Sequence, residues 1–309
     1  ALGRSPDLET SLPCDTRMIR AVGTLAREMN AMTNSDSHMP RRDRTSLTVI
    51  VPVYNEKHLV EASLERLKVL SDSSILERVK VVVVDDGSTD GTAACLERFE
   101  RESTLAPEGG AIEWRFLRHE RNTGKGSAIR TGIQEADTDL TVIHDADLEY
   151  EPRDLVRMAA VFLEEDADAV LGSRFLAGEY RRALFFRHGI RNKLLTLACN
   201  FVTDMELTDI ATCYKMVKTR LLKSIPLENS DFRAEVEMIM KLARRRARIF
   251  EVPISYFGRT LEEGKKLTWK DGVRFLLAMC RYALSDHLYL EDPMRSRMQV
   301  QLSRARRYN

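Results

Sequence analysis

Three carboxylates occupy alternating positions where an apolar run stops: Asp145, Asp147 and Glu149 in "VIHDADLEYEP", residues 142–152. Carboxylates that converge repel one another unless a cation lies between them. Hard oxygen ligands in small number suit Mg2+ or Mn2+, which keep coordination positions open for water and substrate phosphates. Taken alone, the triplet reads equally as a solvated acidic loop after a strand. A second acidic stretch, "DDGSTDGT", begins at Asp85. Gly87 permits a tight turn or a positive φ, and Ser88, Thr89 or Asp90 is suited to cap a following helix. An ordinary turn explains half of that stretch; the paired Asp85 and Asp86 also offer acceptors to a base or a ribose. A third stretch, "NTGKGSAIRTG" from Asn122, is built like a phosphate loop but fails the GxxxxGK[ST] pattern, because Gly126 follows Lys125. Lys125 at a glycine-rich helix start can still face an anion. "GSRF" and "GRTLEEGKK" add Arg174, Arg259, Lys265 and Lys266. They match phosphate if they converge and are ordinary surface charges if they do not.

Other chemistries find no support. The chain has no GxSxG, HExxH or GxGxxG, and its six histidines show no metal spacing. Its five cysteines, Cys14, Cys95, Cys199, Cys213 and Cys280, are scattered and form no CxxC. That usage predicts reduced thiols in a cytoplasmic protein and no zinc site, with Cys213 a buried thiol rather than a nucleophile. A formal net charge of +1 argues against a nucleic-acid binder. The basic residues cluster locally, at Arg181 to Lys193, Arg244 to Arg248 and Arg304 to Arg307. No apolar run approaches the ~20 residues a membrane-spanning helix needs, and no secretory signal opens the chain.

Alternating strands and helices must position these groups. "LTVIVPV" (47–53), "VKVVVV" (79–84), "AIEWRFL" (111–117), "LTVIHDAD" (140–147) and "ADAVLGSRF" (167–175) read as five strands. Helical patterns separate them: through Leu59 to Leu70, through Cys95 to Phe99, from Gly124 to Ala136, and from Pro152 through Phe162. Continuous Val and Ile runs alternating with helices predict an α/β fold with a mostly parallel sheet covered on both faces. Ligands in such sheets bind beyond the carboxyl ends of the strands. The polar residues gather at four such ends: Tyr54 to Glu56, Asp85 and Asp86, Asp145 and Asp147, and Ser173 with Arg174. Agreement among four ends favours a site over a solvated loop.

Beyond Leu176 the spacing predicts a helix over Asn192 to Val202, a short β segment in "LTDIATCYKMV" and an amphipathic helix in "DFRAEVEMIMKLARRRA". A strand interrupted by Pro253, hence at an edge or a strand end, and a helix from near Thr268 complete the pattern. Residues 1–45 read as an extension. Its amphipathic patch, Met18 to Met29, would form a helix against the body, a partner or a membrane surface. Residues 289–309 read as a basic tail.

In this order the motifs resemble those of the family 2 glycosyltransferases of the GT-A fold, and within them the polyprenyl-phosphate sugar synthases of the dolichol-phosphate mannose synthase type. The resemblance runs from about Thr48 to Leu284 and rests on "VIVPVYNE", "VVVVDDGSTDGT", "NTGKGSAIRTG", "HDADLEYEP", "VLGSRF", "LTDIATCYK", "FRAEVEM" and "EVPISYFGRTLEEGKK". It implies a GT-A domain over 46–288 with a Rossmann-like sheet and small C-terminal strand and helix additions. It also implies roles. Pro52, Tyr54 and Glu56 would line the nucleotide pocket, Asp85 would bind the base with Asp86 nearby, and Lys125 would lie near the nucleotide. Asp145 would contact ribose or sugar, and Asp147 and Glu149 would hold Mg2+ or Mn2+ on the diphosphate. Arg174, Arg259 and Lys265 or Lys266 would bind the acceptor phosphate and the leaving diphosphate. The implied donor is a nucleotide sugar, GDP-mannose or a UDP-sugar. The implied acceptor is a polyprenyl phosphate, reached by an enzyme on the cytoplasmic membrane face, with inversion at the anomeric carbon; the alternative is a soluble, non-lipid acceptor, as in a tailoring or glycan enzyme. Two features depart from the family: its Thr-Gly-Phe-Arg segment is here Thr212 to Lys215, and no transmembrane pair follows.

Overall fold

The computed structural model describes residues 43–104, 112–176, 186–258 and 269–284, without the side chains of 104, 186–188, 269–271, 273, 283 and 284. The described residues belong to one compact unit that begins at Arg42. Residues 1–42 and 289–309, with the Met18 to Met29 patch and the basic tail, lie outside the described residues, as do Arg259, Lys265 and Lys266.

Seven strands form one sheet: β1 (Thr45–Val53), β2 (Leu76–Asp85), β3 (Ile112–Arg118), β4 (Leu140–Ile143), β5 (Ala169–Ser173), β6 (Lys215–Lys218) and β7 (Ile249–Pro253). Their order is β3-β2-β1-β4-β6-β5-β7. β3, β2, β1 and β4 pair in parallel, as do β5 and β7; β6 lies between β4 and β5 and runs antiparallel to both. The helices are α1 (Val60–Leu67), α2 (Thr92–Thr104), α3 (Lys125–Glu135), α4 (Arg153–Glu164), α5 (Phe186–Thr203), α6 (Thr219–Lys223), α7 (Arg233–Arg244) and α8 (Trp269–Leu284), with a 3-10 turn over Lys68–Asp72.

β1 is central, and Leu47, Val49, Ile50 and Val51 on both of its faces are buried, as expected for a parallel strand covered by helices on either side. β3, at the edge, alternates instead, with Trp114 packed edge-on against Phe99 of α2 at 5.0 Å between ring centres. β7 forms the other edge and ends at Pro253, where a missing N–H costs the ladder little.

Two expected strands are shorter than their apolar runs. β5 covers Ala169–Ser173, and β4 stops at Ile143, four residues before Asp147. After Ile143 the chain leaves the strand for a turn that carries Asp145 and Asp147 and includes Leu148 at φ 62. The helix expected from Asn192 begins earlier, at Phe186.

Candidate active site

The carboxyl ends of β1, β2, β4 and β5 open on a cavity of about 700 Å3. Each wall is a local consequence of sequence. After β1 the chain turns through Asn55, at φ 52. That loop is stitched to the turn after β2: the Asn55 N–H donates to Ser88 Oγ at 3.0 Å, the Thr89 N–H donates to Asn55 Oδ1 at 2.9 Å, and the Glu56 N–H donates to Thr92 Oγ1 at 3.0 Å. Pro52, Tyr54 and Glu56 thereby line the cavity, as the motif order implied.

Asp85 and Asp86 part company at the end of β2. Asp86 lies on the cavity wall and organises the loop that carries Lys125. Its Oδ1 accepts the Thr123 N–H at 3.0 Å and the Thr123 hydroxyl at 2.8 Å, with His119 Nδ1 at 2.7 Å. Its Oδ2 accepts the Gly124 N–H at 2.7 Å. Asp85 is buried behind that wall. Its Oδ1 accepts the Ser88 N–H, while its Oδ2 is a buried acceptor with no hydrogen-bond partner among the described residues. Arg118 Nε stands 3.3 Å from that oxygen, close enough for charge attraction but misaligned for a hydrogen bond. A buried acceptor left open in this way suits a ligand donor.

Lys125 opens α3 behind Gly124, whose φ of 98 favours glycine. Neither Gly124 nor Gly126 has room for a side chain: a Cβ would stand 2.3 Å from Ser230 O and 2.3 Å from Asn229 O, respectively. The start of α3 is thus pressed onto the loop before α7. We expect Gly126→Ala to lower stability by about 1–3 kcal/mol, measured by denaturant unfolding, because the obstructing atoms are backbone.

The three acids of the opening motif lie on the turn after β4. The Asp147 carboxylate accepts the Glu149 N–H at 3.1 Å. The buried Glu149 carboxylate accepts the Tyr256 hydroxyl at 2.5 Å, and the Glu149 carbonyl accepts the Phe257 N–H at 2.8 Å. His144, at the root of the turn, lies between Ser63 and Tyr214; burial lowers its pKa to about 4 and keeps the ring neutral. Asp145, Asp147 and Glu149 all line the cavity.

Asp145 faces Lys125. The lysine ammonium lies 2.6 Å from Asp145 and 2.5 Å from Glu235 of α7, and Glu235 is in turn 3.0 Å from the buried Lys215 at the start of β6. Burial works against charge on Lys125, yet the two carboxylates hold its pKa well above the usual value. Glu235 is opposed by burial and pulled down to about 2 by Lys125 and Lys215. Asp145, Cys213 and Glu235 could offer ligand atoms within 4.8 Å of one another. Lys125 already supplies the cation there, and burial pushes the Cys213 thiol pKa well up, so the group is a poor match for a hard ion.

Arg174 follows β5 and is locked to the fully buried Asp209. Its Nε and an Nη donate to the two carboxylate oxygens at 2.6 and 2.8 Å, and its backbone N–H donates at 3.1 Å. Its guanidinium lies over the Tyr256 ring, 4.9 Å from the centre. Asn192 of α5 donates to the same aspartate at 3.0 Å. Asp209, Glu235, Asn192 and Tyr256 were not among the candidate site residues read from sequence, and Lys215 stood there only as the end of a segment that departs from the family. Their signal is faint: Asp209 and Lys215 lie in "LTDIATCYK", Glu235 in "FRAEVEM" and Tyr256 in "EVPISYFGRT", each a charged or hydroxylated residue inside an apolar segment.

The mostly parallel sheet, with acids at its strand ends and cations opposite, is the layout of a glycosyltransferase of GT-A type. The sequence profile of "Glycosyl transferase family 2" matches residues 48–225, more than half of the chain, and the chain belongs to that family. It is similar to the undecaprenyl-phosphate mannosyltransferase of Micrococcus luteus, 30% identical over 226 residues, which cover 70% of this chain and 85% of that protein. It is also similar to glycosyltransferase AglJ of Haloferax volcanii, 28% identical over 222 residues, 72% of this chain and 65% of that one. The chain therefore spans just under two thirds of that relative's length. Among solved structures, glucosyl-3-phosphoglycerate synthase of Mycobacterium tuberculosis, in complex with Mn2+, UDP and glucosyl-3-phosphoglycerate, shares the fold. Its TM-score is 0.57 at 18% identity, over 79% of this chain and 82% of that one.

Proposed function

We propose that the protein transfers a hexose, mannose or glucose, from a nucleoside-diphosphate sugar to a polyprenyl phosphate, with inversion. One observation carries this reading. The lining of a single cavity combines the acids Asp145, Asp147 and Glu149 with apolar side chains of α5 and α8, Leu194, Leu195, Phe275 and Leu276. An anionic, metal-bridged donor suits the acids and an isoprenoid suits the apolar side chains. Relatives named for undecaprenyl and dodecaprenyl phosphates support the acceptor class.

Asp147 and Glu149 offer only oxygens, the donor set Mg2+ or Mn2+ prefers, so the residues fit the ion. When bound, the ion would neutralise charge on the leaving diphosphate. The chain's own groups do the rest. Lys125 and Arg174 both line the cavity, Arg174 held rigid by Asp209, and their cationic groups would meet a phosphate there. Asp145 would take a ribose or sugar hydroxyl, and Arg259 with Lys265 or Lys266 would join Arg174 on the acceptor. A phosphate acceptor is already an anion near neutral pH, so direct displacement needs no strong general base.

No helix among the described residues is long and apolar enough to cross a membrane. α5 nevertheless exposes a stripe, with Leu194, Leu197 and Phe201 at 60%, 65% and 90% exposure, and α8 adds Leu277 at 66%. Exposed Arg191 and Lys193 flank the stripe. We read this as the face that meets the cytoplasmic leaflet, where anionic lipid attracts basic residues. Leu197→Ser and Phe201→Ser should each weaken co-sedimentation with phosphatidylglycerol vesicles by about tenfold, the expected effect of withdrawing one large apolar side chain.

The structural neighbour glucosyl-3-phosphoglycerate synthase, seen in complex with phosphoglyceric acid, favours one other reading: a soluble, non-lipid acceptor. The test is a donor panel, UDP- and GDP-sugars with Mn2+, offered polyprenyl phosphate or 3-phosphoglycerate. Transfer to the lipid alone is the expected result. Transfer to 3-phosphoglycerate alone overturns the lipid assignment, and transfer to neither overturns the reading.

A further inference from the structure

The buried ion chain Asp145–Lys125–Glu235–Lys215 does more than the function above requires. Among the described residues Lys125 has two anionic partners, at 2.6 and 2.5 Å from its ammonium. They are not equivalent. Asp145 stands on the turn after β4, beside the acids assigned to the donor, and its side chain is 23% exposed. Glu235 is on α7, its side chain is 11% exposed, and its second oxygen is fixed at 3.0 Å by Lys215, whose side chain is fully buried. Lys215 is itself anchored by donating to the Thr212 carbonyl. One partner is placed to exchange, and the other is built to stay.

We propose that Glu235 is a positioning residue: it retains the Lys125 ammonium on the cavity lining when Asp145 turns from the lysine to the donor, and Lys215 holds Glu235 in place for that purpose. This rests on the proposed function, since it takes the donor to be a nucleoside-diphosphate sugar. Without Glu235, Lys125 would keep Asp145 as its one carboxylate partner among the described residues, and the two would bind each other at the donor's expense. Burial sharpens the effect, because an ion pair in a low-dielectric site is not screened by solvent. The same geometry explains why α3 begins so tightly against the loop of Ser230 and Asn229: the helix carrying Lys125 and the helix carrying Glu235 meet there, with the Ser127 N–H donating to Ser230 O at 3.2 Å. A lysine on a loosely held helix would not stay beside the fixed Glu235 carboxylate when Asp145 turns away.

The test is a double-mutant cycle in the full chain, read by calorimetric binding of UDP and GDP with Mn2+ and by donor KM and kcat. Glu235→Gln should raise the donor KM about tenfold with a smaller change in kcat. In a Lys125→Met background the same substitution should change donor binding less than twofold, because there is no ammonium left to hold. If Glu235→Gln weakens binding equally in both backgrounds, Glu235 acts independently of Lys125 and the proposal is overturned. Glu235→Gln leaves Lys215 buried without its carboxylate, so Glu235→Gln with Lys215→Met is made in parallel; it should fold like wild type and keep the raised KM. A wild-type KM in that variant overturns the proposal. Failure of the wild-type chain to bind either nucleotide overturns the functional reading and this inference with it.

Discussion

Asp147→Ala will bind UDP or GDP no better with Mn2+ than without it, and its transfer rate will fall by about a hundred- to a thousandfold, the usual effect of removing one electrostatic stabiliser of a leaving group. The residue also has a local duty, since its carboxylate accepts the Glu149 N–H within the turn where Leu148 has φ 62. Asp147→Asn separates the two roles. An amide oxygen can still accept that N–H, so the turn is kept while the charge is lost. Both variants should lose metal-dependent binding to the same degree. Retention in Asp147→Asn and loss in Asp147→Ala would mean that the turn, not the charge, matters, and would remove Asp147 from the proposed metal site. Glu149→Gln is a milder case, because its carboxylate is also tied to Tyr256 and a neutral amide can keep that bond.

The second large effect is on stability. Arg174→Ala leaves Asp209, fully buried, without the guanidinium that neutralises it. Breaking a buried pair on one side costs about 3–5 kcal/mol, because the remaining charge is stranded. For a domain of this size that is a fall in Tm of roughly 10 °C. Among the described residues the remaining side-chain donor to Asp209, Asn192, carries no charge to offset it. Arg174→Lys should recover only part of the loss, since an ammonium cannot reproduce the two parallel bonds of the guanidinium. Arg174→Met combined with Asp209→Asn removes both charges and should restore most of the Tm, while acceptor KM stays raised. If the double variant regains acceptor KM, Arg174 serves the fold and not the phosphate. Thermal melting and acceptor kinetics on the three variants decide between these outcomes.

Much of this protein is legible along the chain. Runs of Val and Ile that end in Tyr54, Asp86, Asp145 and Arg174 are local patterns, and local patterns dictate strands, helices and the residues at their ends. The side of the sheet on which the site lies follows from the same reading, because parallel strands place their carboxyl ends together. Tertiary structure decided the partners. Nothing in "TCYK" announces that its strand runs antiparallel between β4 and β5, so the sequence did not bring Lys215 to Glu235, 20 residues away, or Lys125 to the same carboxylate from 110 residues away. Arg174 and Asp209 are likewise paired across 35 residues. The turn after β4 was settled in three dimensions too, where Tyr256 reaches Glu149 from 107 residues further on. Hydrophobic periodicity says which face of an element is buried; it does not say which charge it will meet there, and a buried charge must be matched by whatever the fold brings within reach.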